Sequence, residues 1–443
     1  MTAQTTLAET PELTPLADFL SGVLKKVYPL PPLELDLTQS YGSQSYGSHS
    51  YATQSYGTQS YGNVLADDVR APTAYPPFDR ASIDGYAARW EDVMGATRLR
   101  TVRLNVVGDV TASTTHPGRV APGTCYSVAA GAPLPSAADV VIAPALADQW
   151  MAAVEIREQP RRGSGLRRAG DEVKAGSVLA PAGANVTPAL IAMLASTGVA
   201  RVKVRPSPRV AVISTGNELV EAGRPSQPGQ VVDANSHALA AAALEAGAQA
   251  YRIGICEDDP EALRRVLEDQ FGRADLVITT GGTGTGPGDM VRRTLGRDGS
   301  VRFQDVSLFP CTRLGQGTLV SGPARGESVP VICLPGDPGA ALIGFEVLAR
   351  PLIQKLAGAD PIFRPSVKAH LLSTLDSPTG LREFRPAYVC ERRGGGYTAQ
   401  PLSGGPYTLS GLAGANGLIV LGERVGNATA GSTVDVLMLD RRR

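Results

Sequence analysis

The segment 206–358 constrains the fold most, because short apolar runs alternate there with helical patterns. Its β-prone runs are Arg209–Ile213, Ala250–Ile255, Ala274–Thr279 and Val329–Cys333, and the helical patterns between them include Ser236–Ala246 and Pro260–Phe271. Apolar strands that alternate with helices are typical of βαβ units around a largely parallel sheet. We therefore expect a three-layer α/β domain over residues 206–358.

The other segments predict further domains, so the fold class is α/β multidomain. The chain has 443 residues, more than one hydrophobic core usually serves. Apolar spacing over Leu13–Val27 predicts a helix, runs such as Val102–Val107 predict short strands, and helical patterns end after Pro361. We expect an N-terminal helix and linker at 1–37, a repeat loop at 38–62, a discontinuous linker domain at 63–75 and 160–205, a β-rich insertion domain at 76–159, and a C-terminal β-barrel-like domain at 359–443.

A low-complexity repeat interrupts the N-terminal part. Thr38–Gly62 reads as five tandem pentapeptides of the type TQSYG, with no aliphatic side chain larger than alanine. Such a segment buries too little apolar area to offset its ordering entropy, so we expect a mobile loop. It is interpreted either as an expansion that the fold tolerates at its surface or as a tyrosine-rich association segment.

Composition excludes several classes of protein. Lys plus Arg equals Asp plus Glu at 42 each, so the chain lacks the net positive charge of a nucleic-acid-binding protein. No apolar stretch is long enough to span a membrane, and no export signal is recognisable at the start. The five cysteines show no short spacing, which argues against a disulfide framework or a zinc site. We expect a cytoplasmic protein.

Three loops at the ends of predicted strands are candidate phosphate-binding elements. They are Ser214–Glu218, Thr280–Asp289 and Pro335–Gly339, each rich in glycine, hydroxyl or carboxylate residues. In doubly wound sheets, ligands bind at the carboxyl ends of the strands, where backbone N–H groups at helix N-termini attract anions. Glycines allow close approach of the backbone, and Asp289 is a candidate metal ligand.

A second candidate is the run Pro76–Ala87, with sequence PPFDRASIDGYA. Its two carboxylates, Asp79 and Asp84, lie five residues apart after a rigid diproline, and a glycine follows Asp84. Aspartates in loops also commonly cap turns, so that interpretation stays open.

The motifs PPFD-x-x-S-x-DGYA, AAGAPLP, STGNEL, GGTGTGPGD and LPGDPGAAL, in this order, resemble the molybdopterin molybdenumtransferase family, which includes the E domain of gephyrin and bacterial counterparts. The resemblance implies an elongated homodimer whose cleft lies between the pterin-binding α/β domain of one subunit and the β-rich insertion of the other. It implies insertion of molybdenum from molybdate into adenylylated molybdopterin, with Mg²⁺-dependent release of AMP, and the molybdopterin adenylyltransferase as a partner.

The resemblance also implies roles for individual residues. Asp84, Glu172 and Glu218 match catalytic positions, and Asp84, Asp258 and Asp289 match metal-binding positions. The carboxylate pair Asp171 and Glu172 is kept with its order exchanged. The cofactor-binding positions are Ser214, Thr215, Gly216, Gly281, Gly282, Thr283, Arg313, Pro335, Gly336 and Asp337.

This chain departs from the family where the family has the lysine-rich segment K-x-x-x-K-P-G-K-P. Asp305, Phe309 and Thr312 stand at the three lysine positions, and Arg313 is the nearest cation. Losing cations from an anion site weakens it. Three hypotheses follow: a molybdenumtransferase that uses Arg313 or the Arg161–Arg168 cluster instead, a non-catalytic paralogue that binds molybdopterin as carrier, regulator or scaffold, and a pyrophosphatase acting on another nucleotide.

Overall fold

The computed structural model describes residues 13–37, 40–41, 55–58, 62–150, 152–286, 288–321, 328–405 and 407–439. The chain forms two compact units. The first unit comprises Met1–Leu33, Gly62–Ala66 and Arg205–Arg443, and the second comprises Glu34–Tyr61 and Asp67–Val204. Within the described residues, no helix is long and apolar enough to cross a membrane.

In the described residues of the N-terminal part, up to Arg70, the chain forms one helix and five short strands. The predicted helix is confirmed, but it is shorter than its apolar pattern because it begins only after Pro15. In chain order the elements are α1 (Leu16–Leu24), β1 (Leu33–Asp36), β2 (Ser40–Tyr41), β3 (Ser55–Thr58), β4 (Val64–Leu65) and β5 (Val69–Arg70). Strands β2 and β3 form an antiparallel pair inside the pentapeptide repeat. The rest of Thr38–Tyr61 lies outside the described residues.

The second unit is rich in β-structure, as expected. Its elements after β5 are β6 (Arg80–Ala81), β7 (Gly85–Ala88), a 3-10 helix (Trp90–Val93), β8 (Val102–Val110), β9 (Thr124–Val128), β10 (Val140–Ile142), a second 3-10 helix (Pro144–Leu146), β11 (Ala147–Trp150), β12 (Ala153–Ile156), β13 (Leu166–Arg167), β14 (Val178–Ala180), α2 (Pro188–Ser196) and β15 (Arg201–Arg205). Six of the strands form one sheet in the order β10-β7-β9-β8-β12-β11. Leu104, Ile142 and Ile156 are fully buried on it.

The α/β part of the first unit follows the predicted alternation. Its elements are β16 (Arg209–Thr215), β17 (Leu219–Val220), β18 (Val231–Val232), α3 (Asn235–Glu245), β19 (Gln249–Cys256), α4 (Pro260–Glu268), β20 (Leu276–Thr280), α5 (Met290–Arg297), β21 (Val301–Asp305), β22 (Leu308–Phe309), β23 (Arg313–Val320), β24 (Ser328–Leu334), α6 (Pro338–Gly344), a π-helical turn (Phe345–Ala349) and α7 (Arg350–Leu356). The sheet order is β19-β16-β20-β24-β23-β21. The first four strands are parallel to one another. Strand β23 is antiparallel to β24, and β21 is antiparallel to β23.

Helices cover both faces of this sheet, which makes the three layers. Leu239 of α3 and Ile343 of α6 belong to one buried cluster. Leu263 of α4 and Leu295 of α5 belong to another. The predicted three-layer α/β domain is therefore confirmed.

Two helices that pack on this sheet, α4 and α6, begin with the same capping arrangement. The side chains of Asp259 and Asp337 accept hydrogen bonds from the backbone N–H groups of Ala262 and Ala340, and a proline follows each cap. A capping carboxylate satisfies a free N–H group, and proline fits the first turn because it has no N–H of its own. The helices therefore begin immediately after the strand-end loops.

The C-terminal part forms a closed barrel of five strands, as predicted. Its elements are β25 (Ser366–Leu371), β26 (Leu375–Asp376), β27 (Arg382–Glu391), β28 (Tyr397–Pro401), α8 (Leu409–Gly414), β29 (Gly417–Leu421), β30 (Asn427–Ala428) and β31 (Thr433–Met438). The ring runs β27-β28-β25-β31-β29 and closes because β29 also pairs with β27. The expectation that helices end after Pro361 is wrong, since Thr408 caps the six-residue helix α8.

Candidate functional site

A cavity of about 450 Å³ opens at the carboxyl ends of β16, β20 and β24. The register places these ends side by side, because Ser214 is opposite Thr280 and Thr280 is opposite Leu334. The cavity is lined by the three predicted loops and by residues before and within β23. The lining residues are Thr215, Gly216, Glu218, Leu219, Asn235, Asp258, Thr280, Gly281, Gly282, Thr283, Gly284, Gly288, Asp289, Pro310, Thr312, Arg313, Pro335 and Gly336.

The first loop contributes Thr215, Gly216 and Glu218 to the cavity. Ser214, which we expected beside them, is the penultimate residue of β16, and its hydroxyl donates to Asp233 at 2.8 Å. Burial alone would raise the pKa of Asp233, but hydrogen bonds from Ser236 and Ser214 and the charge of Arg252 outweigh it and lower the pKa. Ser214 therefore stabilises the start of the first loop through this hydrogen bond and does not line the cavity.

The second loop approaches the first so closely that Gly281 cannot carry a side chain. Its φ is +98°, and a Cβ atom there would lie 2.5 Å from the carbonyl oxygen of Thr215. Asp289 organises the rest of this loop: one carboxylate oxygen accepts from Gly284 N at 2.8 Å and the other from Gly286 N at 2.6 Å. Asp289 is therefore a structural acceptor for two backbone groups of the glycine loop.

The third loop is tied to the others by Asn235, which the sequence analysis did not single out. The Asn235 amide donates to Thr280 Oγ1 and to Gly336 O, both at 2.8 Å, and Thr280 Oγ1 in turn donates to Pro335 O at 2.8 Å. Because both partners of the amide are acceptors here, its nitrogen must face them. Asn235 Oδ1 is buried with no hydrogen-bond partner among the described residues.

Asp337 takes a different place from the one we expected. Its neighbours Pro335 and Gly336 line the cavity, whereas its carboxylate caps α6 by accepting from Ala340 N at 2.8 Å. It therefore fixes the direction in which the third loop leaves the cavity.

Three carboxylates share the wall of this cavity: Glu218, Asp258 and Asp289. Asp258 accepts from Asn217 N at 3.2 Å, and Asp258 N donates to Asn217 Oδ1 at 3.0 Å, so these loops hold each other. Within the described residues no cluster of three or more His, Cys, Asp or Glu side chains is close enough to hold a metal ion by itself. Mg²⁺ commonly uses one or two carboxylates together with oxygens of a phosphorylated substrate, and this donor set fits that pattern.

The segment that replaces the expected lysines is engaged in protein contacts. Arg313 Nε lies 3.6 Å from Asp305 Oδ1. The ring of Phe309 packs edge-on against Tyr407, with 5.8 Å between the centroids. Thr312 and Arg313 line the cavity. Arg313 is thus a cation at the cavity whose charge Asp305 partly offsets.

The other predicted site residues belong to the second unit. Asp84 Oδ1 accepts from Ala130 N at 2.7 Å. Glu172 accepts from Arg167 at 2.7 Å, and Asp79 accepts from Arg168 at 3.1 Å. Arg162 Nε also lies 3.8 Å from Asp139 Oδ2, so three arginines of the Arg161–Arg168 cluster are already paired with acids.

Three cavity residues were not among the predicted site residues or loops: Leu219, Asn235 and Pro310. Asn235 carried a usable signal. It is the first residue of α3 and comes two residues after Asp233, whose carboxylate accepts from Ser236 N at 3.1 Å. A polar residue at a helix N-terminus on the ligand-binding edge of the sheet is a site candidate.

Three family models match the chain. The model for the MoeA N-terminal region (domain I and II) matches residues 33–198, that for a probable molybdopterin binding domain matches 211–355, and that for the MoeA C-terminal region (domain IV) matches 368–439. The central match contains all the cavity residues. The middle model thus corresponds to the α/β sheet and its three loops.

Known proteins resemble the chain over most of its length. It is 36% identical over 382 residues to molybdopterin molybdenumtransferase 2 of Mycobacterium tuberculosis, a match covering 84% of this chain and 91% of the relative. It is 34% identical over 394 residues to the molybdopterin molybdenumtransferase of a Nostoc species, covering 85% and 86%. Among solved structures, a molybdopterin biosynthesis MoeA protein from Pyrococcus horikoshii has a TM-score of 0.77 at 28% identity, covering 97% of this chain and 100% of that one.

Proposed function

The chain belongs to the molybdopterin molybdenumtransferase family of molybdenum cofactor biosynthesis, and from this premise we propose that it inserts molybdate-derived molybdenum into adenylylated molybdopterin, with Mg²⁺-dependent release of AMP. One observation supports this function most: three strand-end loops, two with glycines and hydroxyls, share one cavity with three carboxylates. Such a cavity offers N–H and hydroxyl donors for a phosphorylated ligand and hard oxygen ligands for a divalent cation.

The residues of the first unit bind and orient the pterin substrate. Gly281 brings the backbone of the second loop against Thr215, so the ligand meets main chain rather than side chains. Thr215, Thr283 and the buried amide of Asn235 place polar atoms on the same wall. Rigid hydrogen bonds among the loops keep these groups in place before the ligand arrives, which lowers the entropic cost of binding.

Mg²⁺ would be held by Asp258 and Asp289, as the resemblance implies, with Glu218 beside them. The ion would neutralise phosphate charge and polarise the phosphoryl oxygens. Asp289 keeps one lone-pair direction on each oxygen after accepting from Gly284 and Gly286. It can therefore organise the loop and bind the ion together.

Asp84 and Glu172 are proposed as the acidic residues that the second unit supplies to the reaction. Asp84 is fixed by the N–H group of Ala130, and Glu172 by Arg167. We also propose that the protein acts in the cytoplasm as a homodimer and receives its substrate from the molybdopterin adenylyltransferase. Light scattering of the purified chain tests the dimer, and a monomer mass would contradict it.

A second candidate function is that of a non-catalytic, molybdopterin-binding paralogue. The observation that favours it is the contact between Arg313 and Asp305, because the nearest substitute for the family lysines is partly neutralised by an acid at one of their positions. Such a protein would bind molybdopterin as carrier, regulator or scaffold without turnover.

A matched pair of variants tests the role of the acidic residues. Purified chain is given adenylylated molybdopterin, molybdate and Mg²⁺, and AMP is quantified by chromatography for wild type, Asp84→Ala and Asp109→Ala. Asp109 is an exposed acid of the same unit, on β8. We expect AMP release to fall at least about a hundredfold in Asp84→Ala only, the size typical of losing a group that acts in the transition state. Equal rates in all three proteins would contradict the proposed role.

A further inference from the structure

Beside the cavity lies an open cleft of about 950 Å³, called here the arginine cleft. Four arginines line it, three from α5 and one from β21. They share the cleft with the glycine loop and with Phe303. The lining residues are Gly284, Thr285, Gly286, Arg292, Arg293, Gly296, Arg297, Gly299, Val301, Arg302 and Phe303.

The charges of the two spaces are opposite. The cavity wall carries three carboxylates and one arginine, Arg313, which is itself near Asp305. Among the residues described here, the arginine cleft is lined by four guanidinium groups and no carboxylate. The nearby acid Asp298 pairs with Arg264 at 3.2 Å. An anion therefore meets a more favourable potential in the cleft than in the cavity.

The protein holds Arg292 in a fixed position at the wall of the cleft. Its guanidinium carbon lies 5.8 Å from the centroid of the Phe303 ring, and its backbone N–H donates to Gly282 O at 2.9 Å. Its Nη1 atom is buried and has no hydrogen-bond partner among the described residues. Buried donors are normally satisfied, so this nitrogen is a candidate contact for an acceptor oxygen of a ligand.

The arginine cleft and the cavity are adjacent. Gly284 lines both of them. A smaller space of about 280 Å³ shares lining residues with both, since Asp258 and Gly288 of the cavity and Arg293 and Arg297 of the cleft line it together with Asp298. One extended molecule can therefore reach from the cavity into the cleft.

We propose that the arginine cleft binds the phosphate of the nucleotide half of the substrate, while the cavity binds the pterin half. This inference rests on the proposed function and adds a site for the nucleotide phosphate, while Arg313 and the Arg161–Arg168 cluster stay candidates for the molybdate oxyanion. Arginine suits the task because its planar donors match phosphate oxygens in pairs.

Calorimetric titration with AMP, adenosine and pyrophosphate tests the inference without requiring turnover. The test variant is Arg297→Ala with Arg302→Ala, because both residues are exposed and do not carry the fold. The control is Arg392→Ala with Arg393→Ala, an exposed pair with the same charge change in the turn between β27 and β28. Thermal unfolding confirms that both double variants are folded.

We expect the test variant to bind AMP at least about tenfold more weakly than wild type, since it removes two cations and the loss of a single strong contact between a charged donor and phosphate already costs about tenfold. The control should bind as wild type does, pyrophosphate should compete with AMP, and added salt should weaken AMP binding by screening. Equal AMP affinity in both double variants, or adenosine binding as tightly as AMP, would overturn the inference. So would binding of an oligoglutamate peptide in preference to AMP.

This test separates the inference from the proposed function. If the cleft binds AMP through these arginines but the chain releases no AMP from adenylylated molybdopterin, the inference stands and the proposed activity fails. If the chain turns over and the test variant keeps full affinity for AMP, the activity stands and the inference fails.

Discussion

Removing Asp289 should destabilise the protein even when no ligand or metal ion is added. Its two carboxylate oxygens accept from Gly284 N and Gly286 N at 2.8 and 2.6 Å. If Asp289 were only a metal ligand, its removal would relieve repulsion from Glu218 and Asp258 and stabilise the chain. The sign of the change in unfolding free energy therefore distinguishes the two roles.

The magnitude follows from the two hydrogen bonds. A hydrogen bond to a charged group contributes about 1.5–3 kcal/mol when well shielded. Asp289 is half-buried, so solvent screening reduces both contributions. We expect Asp289→Ala to lower the free energy of unfolding by about 2 kcal/mol. Asp289→Asn keeps one acceptor oxygen and should lose about half of that.

Urea unfolding without added Mg²⁺ measures this effect, with far-ultraviolet circular dichroism as the signal. At a slope of about 2 kcal/mol per molar urea, the midpoint should fall by about 1 M in Asp289→Ala. The matched control is Glu218→Gln, which removes a charge from the same cavity and should leave the midpoint unchanged or higher. A midpoint that rises in Asp289→Ala as it does in the control would refute the loop-organising role.

Three further predictions concern other contacts. Asn235→Ala should lower the free energy of unfolding by about 2 kcal/mol, because Gly336 O loses a buried donor, and denaturant titration measures it. Arg364→Ala should cost about 3–5 kcal/mol, since the buried guanidinium pairs with Glu346 at 2.6 Å, whereas Arg393→Ala should cost almost nothing in the same melting assay. The lowered pKa of Asp233 means that its ionised form contributes stability above its unfolded pKa of about 3.9, lost as pH falls through the lower folded value. The stability difference between wild type and Asp233→Asn should therefore shrink below about pH 4, and a constant difference from pH 6 to 3 would contradict this.

Sequence patterns predicted most of the α/β sheet because its parallel strands are buried on both faces. Runs such as Val329–Cys333 are uninterrupted and apolar, and the structure places this one inside β24. The strands β23 and β21, which continue the sheet beyond β24 with antiparallel pairing, were not predicted, because polar residues and glycines break their patterns. Helix α8 was missed because six residues are too few to show helical periodicity.

The candidate site was predictable in its loops but not in the direction of its side chains. Ser214 was placed in the cradle because β16 was taken to end at Ile213, whereas the strand continues to Thr215. Asp337 was placed there because its loop is a ligand-binding loop, and its capping role shows only in the contact with Ala340. The arginine cleft has no linear signature, since helical arginines usually face solvent and only the packing of α5 beside β21 gathers them.

The measurement that tests the central claim most directly is the stoichiometry of the reaction catalysed by the wild-type chain. Adenylylated molybdopterin, molybdate and Mg²⁺ are supplied in excess over protein, and AMP and pterin-bound molybdenum are quantified over time. We predict more than one equivalent of AMP per chain, with an equal amount of molybdenum on the pterin. Bound pterin without AMP release would contradict the account and identify the chain as a non-catalytic member of its family.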